Sequence, residues 1–219
     1  MAGSSSRPLI IDAYHAFEEI QYGYDRLAIE TKATNFWAKV YPEQSRLILA
    51  YIVEGFAALG CDMKSFKPGD IIPEVQPLPR HKKLVLQFYH MLEDAHLLSV
   101  QKGVFLRTDV PVDATPADTI YREILEAYPD HANVHKLVKV IGSQLAACLT
   151  GDEDGLQLIF GDKVNKRTLE DVYENWPLLR TPTLLLGDFL VKAFSNSNRS
   201  GKFRILEVGA GTGGTTRLS

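Results

Sequence analysis

The chain has 219 residues, room for one large domain or two small ones, and its 45% hydrophobic and 23% charged residues are those of a globular protein rather than a disordered one. With 24 Lys and Arg against 27 Asp and Glu the net charge is −3, which argues against a nucleic-acid or anionic-membrane partner. No apolar run reaches the roughly 18 residues of a membrane span, and the opening Met1-Ala2-Gly3-Ser4-Ser5-Ser6 lacks the apolar core of a signal peptide.

Residues 1–11 are expected to be a disordered tail or linker. From Asp12 to Val40, Tyr14, Phe17, Ile20, Tyr24, Leu27 and Ile29 follow helical spacing and are expected to face a core, with Gly23 weakening the middle. Pro42 and Gly60 bracket a second helix over 43–59. Leu47, Ile48, Tyr51, Ile52 and Phe56 give it a wide apolar face, and Gly55 marks a close helix contact. Pro68, Gly69, Pro73, Pro77 and Pro79 make 67–80 a loop. Cys61 and Cys148 stand in apolar contexts without C-x-x-C spacing, as buried free thiols of a reducing, cytoplasmic compartment do.

A helix over 81–97 should turn Leu84, Val85, Phe88, Met91, Leu92 and Ala95 inward. It leads into two short strands across 98–107, paired around Gln101-Lys102-Gly103. A helix feeding a hairpin is the end of a winged helix. Its helix offers Arg80, Lys82 and Lys83 at the start and the chain is acidic overall, so a packing module is the better reading than a DNA reader.

Helices near 117–128 and 132–149 follow, broken at Tyr128-Pro129. His131 and His135 lie one helical turn apart, but Ala-Asn-Val between them lacks the glutamate of the H-E-x-x-H zinc motif, so a solvated or capping pair is expected and no metal. Gly151-Asp152-Glu153-Asp154-Gly155 is an acidic turn without the register of a calcium loop. Thr168, with Asp171 three residues on, reads as a helix cap. Tyr173 and Trp176 precede Pro177. A helix over 183–195 then carries Leu184, Leu185, Phe189, Leu190 and Phe194 on one face, and the polar linker 195–201 follows. Asn198-Arg199-Ser200 matches a glycosylation sequon, incidental in a cytoplasmic protein.

The most informative stretch comes last. Phe203 to Val208 reads as a buried strand of a parallel sheet, breaking into a glycine turn that opens a helix. Glycines at 209, 211 and 213 let a backbone pass close to a bulky ligand, a nucleoside cofactor at the strand end. A phosphate-binding P-loop needs Gly-Lys-Ser/Thr, and here Gly213 precedes Gly214-Thr215. A dinucleotide fingerprint needs G-x-G-x-x-G, and here the order is G-x-G-x-G-G. Glu207 completes E-x-G-x-G-x-G, which resembles motif I of class I methyltransferases, the binders of S-adenosylmethionine. The chain ends inside the next helix, so the doubly wound sheet is expected to continue beyond Ser219.

The run Phe160 to Pro177, then Leu186-Gly187-Asp188-Phe189-Leu190, then Ile205 to Thr216 with its Ala210-Gly211-Thr212-Gly213-Gly214-Thr215-Thr216, resembles the C-methyltransferase domain of fungal non-reducing iterative polyketide synthases. The likeness runs from about Asp12 onward. It implies a mostly α N-terminal or lid subdomain over 12–198, with a winged-helix-like hairpin. From 199 to 219 it implies the start, first strand and glycine turn, of an α/β Rossmann-like domain. It implies methyl transfer from S-adenosylmethionine to the α-carbon of a β-ketoacyl chain held by phosphopantetheine on an acyl carrier domain, beside neighbouring synthase domains. Glu207, Gly209, Ala210, Gly211 and Gly213 would bind the cofactor. Tyr173, on the segment before them, either closes over it or packs in a core. The family's His-Glu dyad has no match among the six histidines, so the catalytic residues are expected beyond Ser219 and the 219-residue chain alone is expected to be inactive. The competing readings are a non-catalytic docking module or pseudo-methyltransferase, and a small-molecule O-methyltransferase with an N-terminal winged helix. The Phe160 to Pro177 run argues against the last.

Overall fold

The computed structural model describes residues 9–195, 206–209, 211 and 213–215, with the side chains of 9–12 left aside. Its backbone contacts divide the chain into two units: Met1–Phe36 with Glu170–Ser219, and Trp37–Leu169. The boundary near residue 199 expected from sequence lies outside the described residues, as does the tail before Leu9.

The middle unit is built on one helix, α3 (Tyr41–Ala58). Pro42 sits in its first turn, where a missing N–H costs nothing. Gly60, at φ 86°, lets the chain leave through the left-handed region. Leu47 and Tyr51 pack with Ala117, Ile120 and Ile124 of α5 (Ala117–Ala127) in one buried cluster. Ile52, Val53 and Phe56 belong to a second, which includes Val85, Tyr89 and Leu92 of α4 (Lys82–Asp94). Glu54 of α3 accepts a bond from the Ala117 backbone N–H at 2.7 Å, so one helix caps the next. Gly55 allows the close approach expected of it: a Cβ there would stand 3.1 Å from Leu145 of α7 (Leu145–Thr150). Gly142, last residue of α6 (Ala132–Gly142), does the same against α3, since any side chain would overlap the buried Tyr51 ring.

The hairpin forms as read. Strands β1 (Leu98–Gln101) and β2 (Val104–Arg107) pair antiparallel, Gln101 opposite Val104. Lys102 and Gly103 both take positive φ, 50° and 81°, as a two-residue turn matched to strand twist requires. Within the proline-rich loop, Ile71 bridges to Leu106. Tyr89 of α4 explains why that loop is fixed: its ring stacks on Phe105 at 4.8 Å, and its hydroxyl donates to Pro73 O at 2.9 Å while accepting from Val75 N–H at 2.8 Å. Periodicity alone pointed Leu84 inward, but Leu84 is exposed and Tyr89 buried. The buried Arg107 spends its guanidinium on carbonyls, Leu97 O at 2.9 Å and Val110 O at 2.6 Å among them, so its charge is hydrogen-bonded rather than ion-paired.

Three expectations in this unit are corrected. Helix α8 (Lys163–Asn175) is capped by Asp162, whose Oδ1 accepts from Val164 and Asn165 N–H, each at 2.8 Å. Thr168 lies inside the helix and bonds Val164 O instead. And His131 and His135 are buried, not solvated, while His131 starts α6 without a side-chain capping bond. The expected helix over 132–149 is two, α6 and α7, parted at Ser143-Gln144.

In the terminal unit, α1 (Leu9–Ile20) and α2 (Tyr24–Glu30) are joined by a 3-10 turn through Gly23, as its weak helix preference suggested. The helix ends at Glu30 rather than reaching Val40, because Lys32 and Asn35 take positive φ. Tyr14, Phe17, Tyr24 and Ile29 are exposed; the burial falls on Ala16, Leu27 and Ala28. Both helices pack on α9 (Pro177–Ser195), which begins six residues earlier than expected because Pro177 suits a first turn. Pro182 inside α9 removes one backbone donor. On either side, Thr181 and Thr183 bond the carbonyls of Pro177 and Leu179 at 2.7 and 2.8 Å. Thr181 is fully buried and meets the Thr31 hydroxyl at 2.6 Å, which fastens the end of α2 to α9.

The His135 ring has no exposed surface, and neither nitrogen has a hydrogen-bond partner. Burial, aided by the nearby His131, pushes its pKa down to about 4. The ring is neutral in the folded chain, while the unfolded chain takes up that proton below its ordinary pKa of about 6.5. Stability should therefore be full above pH 6.5 and fall on acidification until about pH 4, by on the order of 3 kcal/mol. Urea unfolding at intervals across this range measures it. His135→Leu should flatten much of the slope, and an unchanged slope would show that other groups carry it.

Candidate functional site

Glycines 209, 211 and 213 adopt φ of 82°, 55° and 74°. Each is a conformation that a side chain disfavours, so every alternate glycine is demanded by the backbone. Among the described residues steric crowding is not the cause: a Cβ on Gly209 or Gly213 would meet none of them within 4 Å, and one on Gly211 only Gly209 O at 3.7 Å. Gly214 is different: it is buried, begins the following helical turn, and a Cβ there would stand 3.4 Å from the backbone of Tyr173 and Glu174. The glycine turn thus rests on the end of α8, and Tyr173, its side chain half exposed, is brought beside it. Sequence spacing suggested the segment; the contact through Gly214 had no signal beyond a fourth glycine.

Glu207 and Gly209 are exposed beside the turn, and Ala210 lies outside the described residues. Of the expected strand, 203–205 also lie outside them. Leu206 and Val208 are 86% and 88% exposed rather than buried, and Leu206 to Val208 pair with no strand among the described residues. A parallel strand gains its burial from flanking strands and helices, and none stands beside this one there.

Cys61 is buried and its thiol is pushed up to about 11, chiefly by desolvation, so it is no nucleophile at neutral pH. Among the described residues no cluster of three or more His, Cys, Asp or Glu is set to hold a metal ion, and no helix is long and apolar enough to cross a membrane.

Residues 18–105 match the sequence family described as a methyltransferase helix-turn-helix domain. The non-reducing polyketide synthase pkbA of Emericella nidulans is 48% identical over 204 residues, covering 93% of this chain and 8% of that protein. The 5-methylorsellinic acid synthase of Aspergillus terreus is 44% identical over 201 residues, with coverage of 92% and 8%. The chain therefore spans less than a tenth of the length of these curated relatives. Among solved structures, the CMeT domain of the citrinin polyketide synthase superposes with a TM-score of 0.92 at 33% identity, covering 99% of this chain and 57% of that one. With likeness carried across nearly its whole length in both sequence and fold, the chain matches part of the C-methyltransferase domain of fungal non-reducing polyketide synthases.

Proposed function

We propose that the chain is part of an S-adenosylmethionine-dependent C-methyltransferase that methylates the α-carbon of a β-ketoacyl polyketide carried by phosphopantetheine on an acyl carrier domain. The observation that carries the reading is the turn at 209–213, whose three alternate glycines take positive φ and are not crowded by any other described residue. Gly209, Ala210, Gly211 and Gly213 would lie against the nucleoside, with Glu207 leading into the turn and Tyr173 beside it across Gly214. The cofactor supplies a sulfonium methyl as electrophile. The acceptor loses its α-proton to a base, its carbon forms the new C–C bond in line, and the C–S bond breaks to leave S-adenosylhomocysteine. The residues here position the methyl donor. No catalytic residue is assigned here, since none of the six histidines sits in a motif matching the proton-abstracting pair that the resemblance implies.

The 219-residue chain alone should transfer no methyl group, and a protein extended along the rest of the aligned relatives should. Each is incubated with labelled S-adenosylmethionine and a β-ketoacyl thioester of a pantetheine analogue. Transfer by the short chain above a no-enzyme control would put the proton-abstracting group among these 219 residues and refute the reading.

In the extended protein Gly211→Val should abolish cofactor binding with the fold intact. Valine at φ 55° is strained by about 1–3 kcal/mol, and the turn relieves this by leaving its conformation. The fold should survive because, among the described residues, no packed side chain lies within 4 Å of that position. Titration calorimetry with S-adenosylhomocysteine on both proteins checks it, and equal affinities would refute the assignment of the turn.

A further inference from the structure

The start of α4 carries charge where a helix does not favour it. Arg80, Lys82 and Lys83 are exposed on the 3-10 turn and first turn that open the helix, where free backbone N–H groups already present partial positive charge. No acid sits in that first turn, and among the described residues none of the three cations is ion-paired; Arg80 donates to the His81 ring at 3.1 Å. The chain as a whole has net charge −3, so this clustering is not a by-product of composition.

Lys82 also lines a groove of about 250 Å³. Its floor is apolar: Val75, Val85, Tyr89 and Phe105 are each at least 91% buried. Leu86 lines the groove with half its surface exposed. Glu74 is the one carboxylate in the lining. Small-molecule pockets run from about 300 to 1,000 Å³, so this space suits an inserted side chain better than a metabolite. Phosphates of a nucleic acid would engage the cations but leave Leu86 and the apolar floor without a partner.

We propose that this groove is a docking site for a helix of an acidic partner protein. One apolar side chain of the partner enters the groove against Leu86, and flanking carboxylates meet Arg80, Lys82 and Lys83. Binding of this kind uses an amphipathic helix in an apolar groove, with charges on the rim setting partner choice and encounter rate. The cations are kept at an unfavourable position on the helix because the partner's carboxylates complete it.

The test uses this chain and a fluorescent helical peptide of about 15–20 residues, with a leucine face flanked by glutamates, beside a matched peptide with glutamines. The glutamate peptide should bind at least tenfold more tightly, with amide shifts centred on 75–77 and 82–89, and more weakly as salt rises. The triple variant Arg80→Glu, Lys82→Glu, Lys83→Glu should lose at least tenfold in affinity and regain binding with a lysine-flanked peptide. Its melting temperature should rise, since acids suit a helix start, which separates lost binding from misfolding. Leu86→Ser, which leaves the charges in place, should weaken binding by a similar factor. Equal binding of the two peptides, unchanged affinity in either variant, or tighter binding of a DNA duplex than of the glutamate peptide would overturn the proposal.

Discussion

Burial of α3 on two sides is the constraint on which the middle unit depends. Leu47 and Tyr51 face one cluster, and Ile52, Val53 and Phe56 face another. A helix committed in both directions leaves little freedom to its neighbours. Glu54 fixes where α5 begins, Gly55 admits α7, and Gly142 brings the end of α6 onto the Tyr51 ring. These are contacts between backbone and side chain at close range, and close-packed interiors tolerate little change in volume at such points. The hairpin depends on the same helix at one remove, since Phe56 lies 5.1 Å from the Tyr89 ring that stacks on Phe105.

What the sequence made legible was local. Pro42 and Gly60 marked α3, and Lys102-Gly103 marked the hairpin, because proline and glycine act through their own backbone angles. Burial depends on what packs against a face, and there the reading went astray. Tyr14, Phe17 and Tyr24 have helical spacing but stand exposed, while the buried positions of these helices are Ala16, Leu27 and Ala28. His131 and His135 were visible as a one-turn pair, yet nothing in their spacing tells that both are covered. Thr168 was a plausible cap by pattern. Asp162 took the role because two free N–H groups converge on its carboxylate at the true start of α8.

The candidate site shows the same division. The alternate glycines were legible, and their shared positive φ gives the pattern a conformational reason within the chain. The seating of Gly214 on Tyr173 and Glu174 was not legible, because it joins residues some forty apart in sequence through the absence of a side chain. That contact is what makes the turn and the segment before it one arrangement rather than two motifs. The middle unit, by contrast, follows one of its helices with a two-stranded hairpin and carries three cations at that helix's start where no acid stands in the first turn. Within one chain, the proposed chemistry and the proposed docking surface draw on different kinds of residue: glycines for the first, uncompensated cations for the second.

The central claim is that the turn at 209–213 holds the nucleoside of the methyl donor. A crystal structure of the extended protein with S-adenosylhomocysteine measures this most directly. The account predicts the adenosyl group against Gly209 to Gly213, those three alternate glycines still at positive φ, and Tyr173 at its edge. Cofactor bound elsewhere, or bound with the turn unoccupied and its glycines at ordinary negative φ, would contradict it.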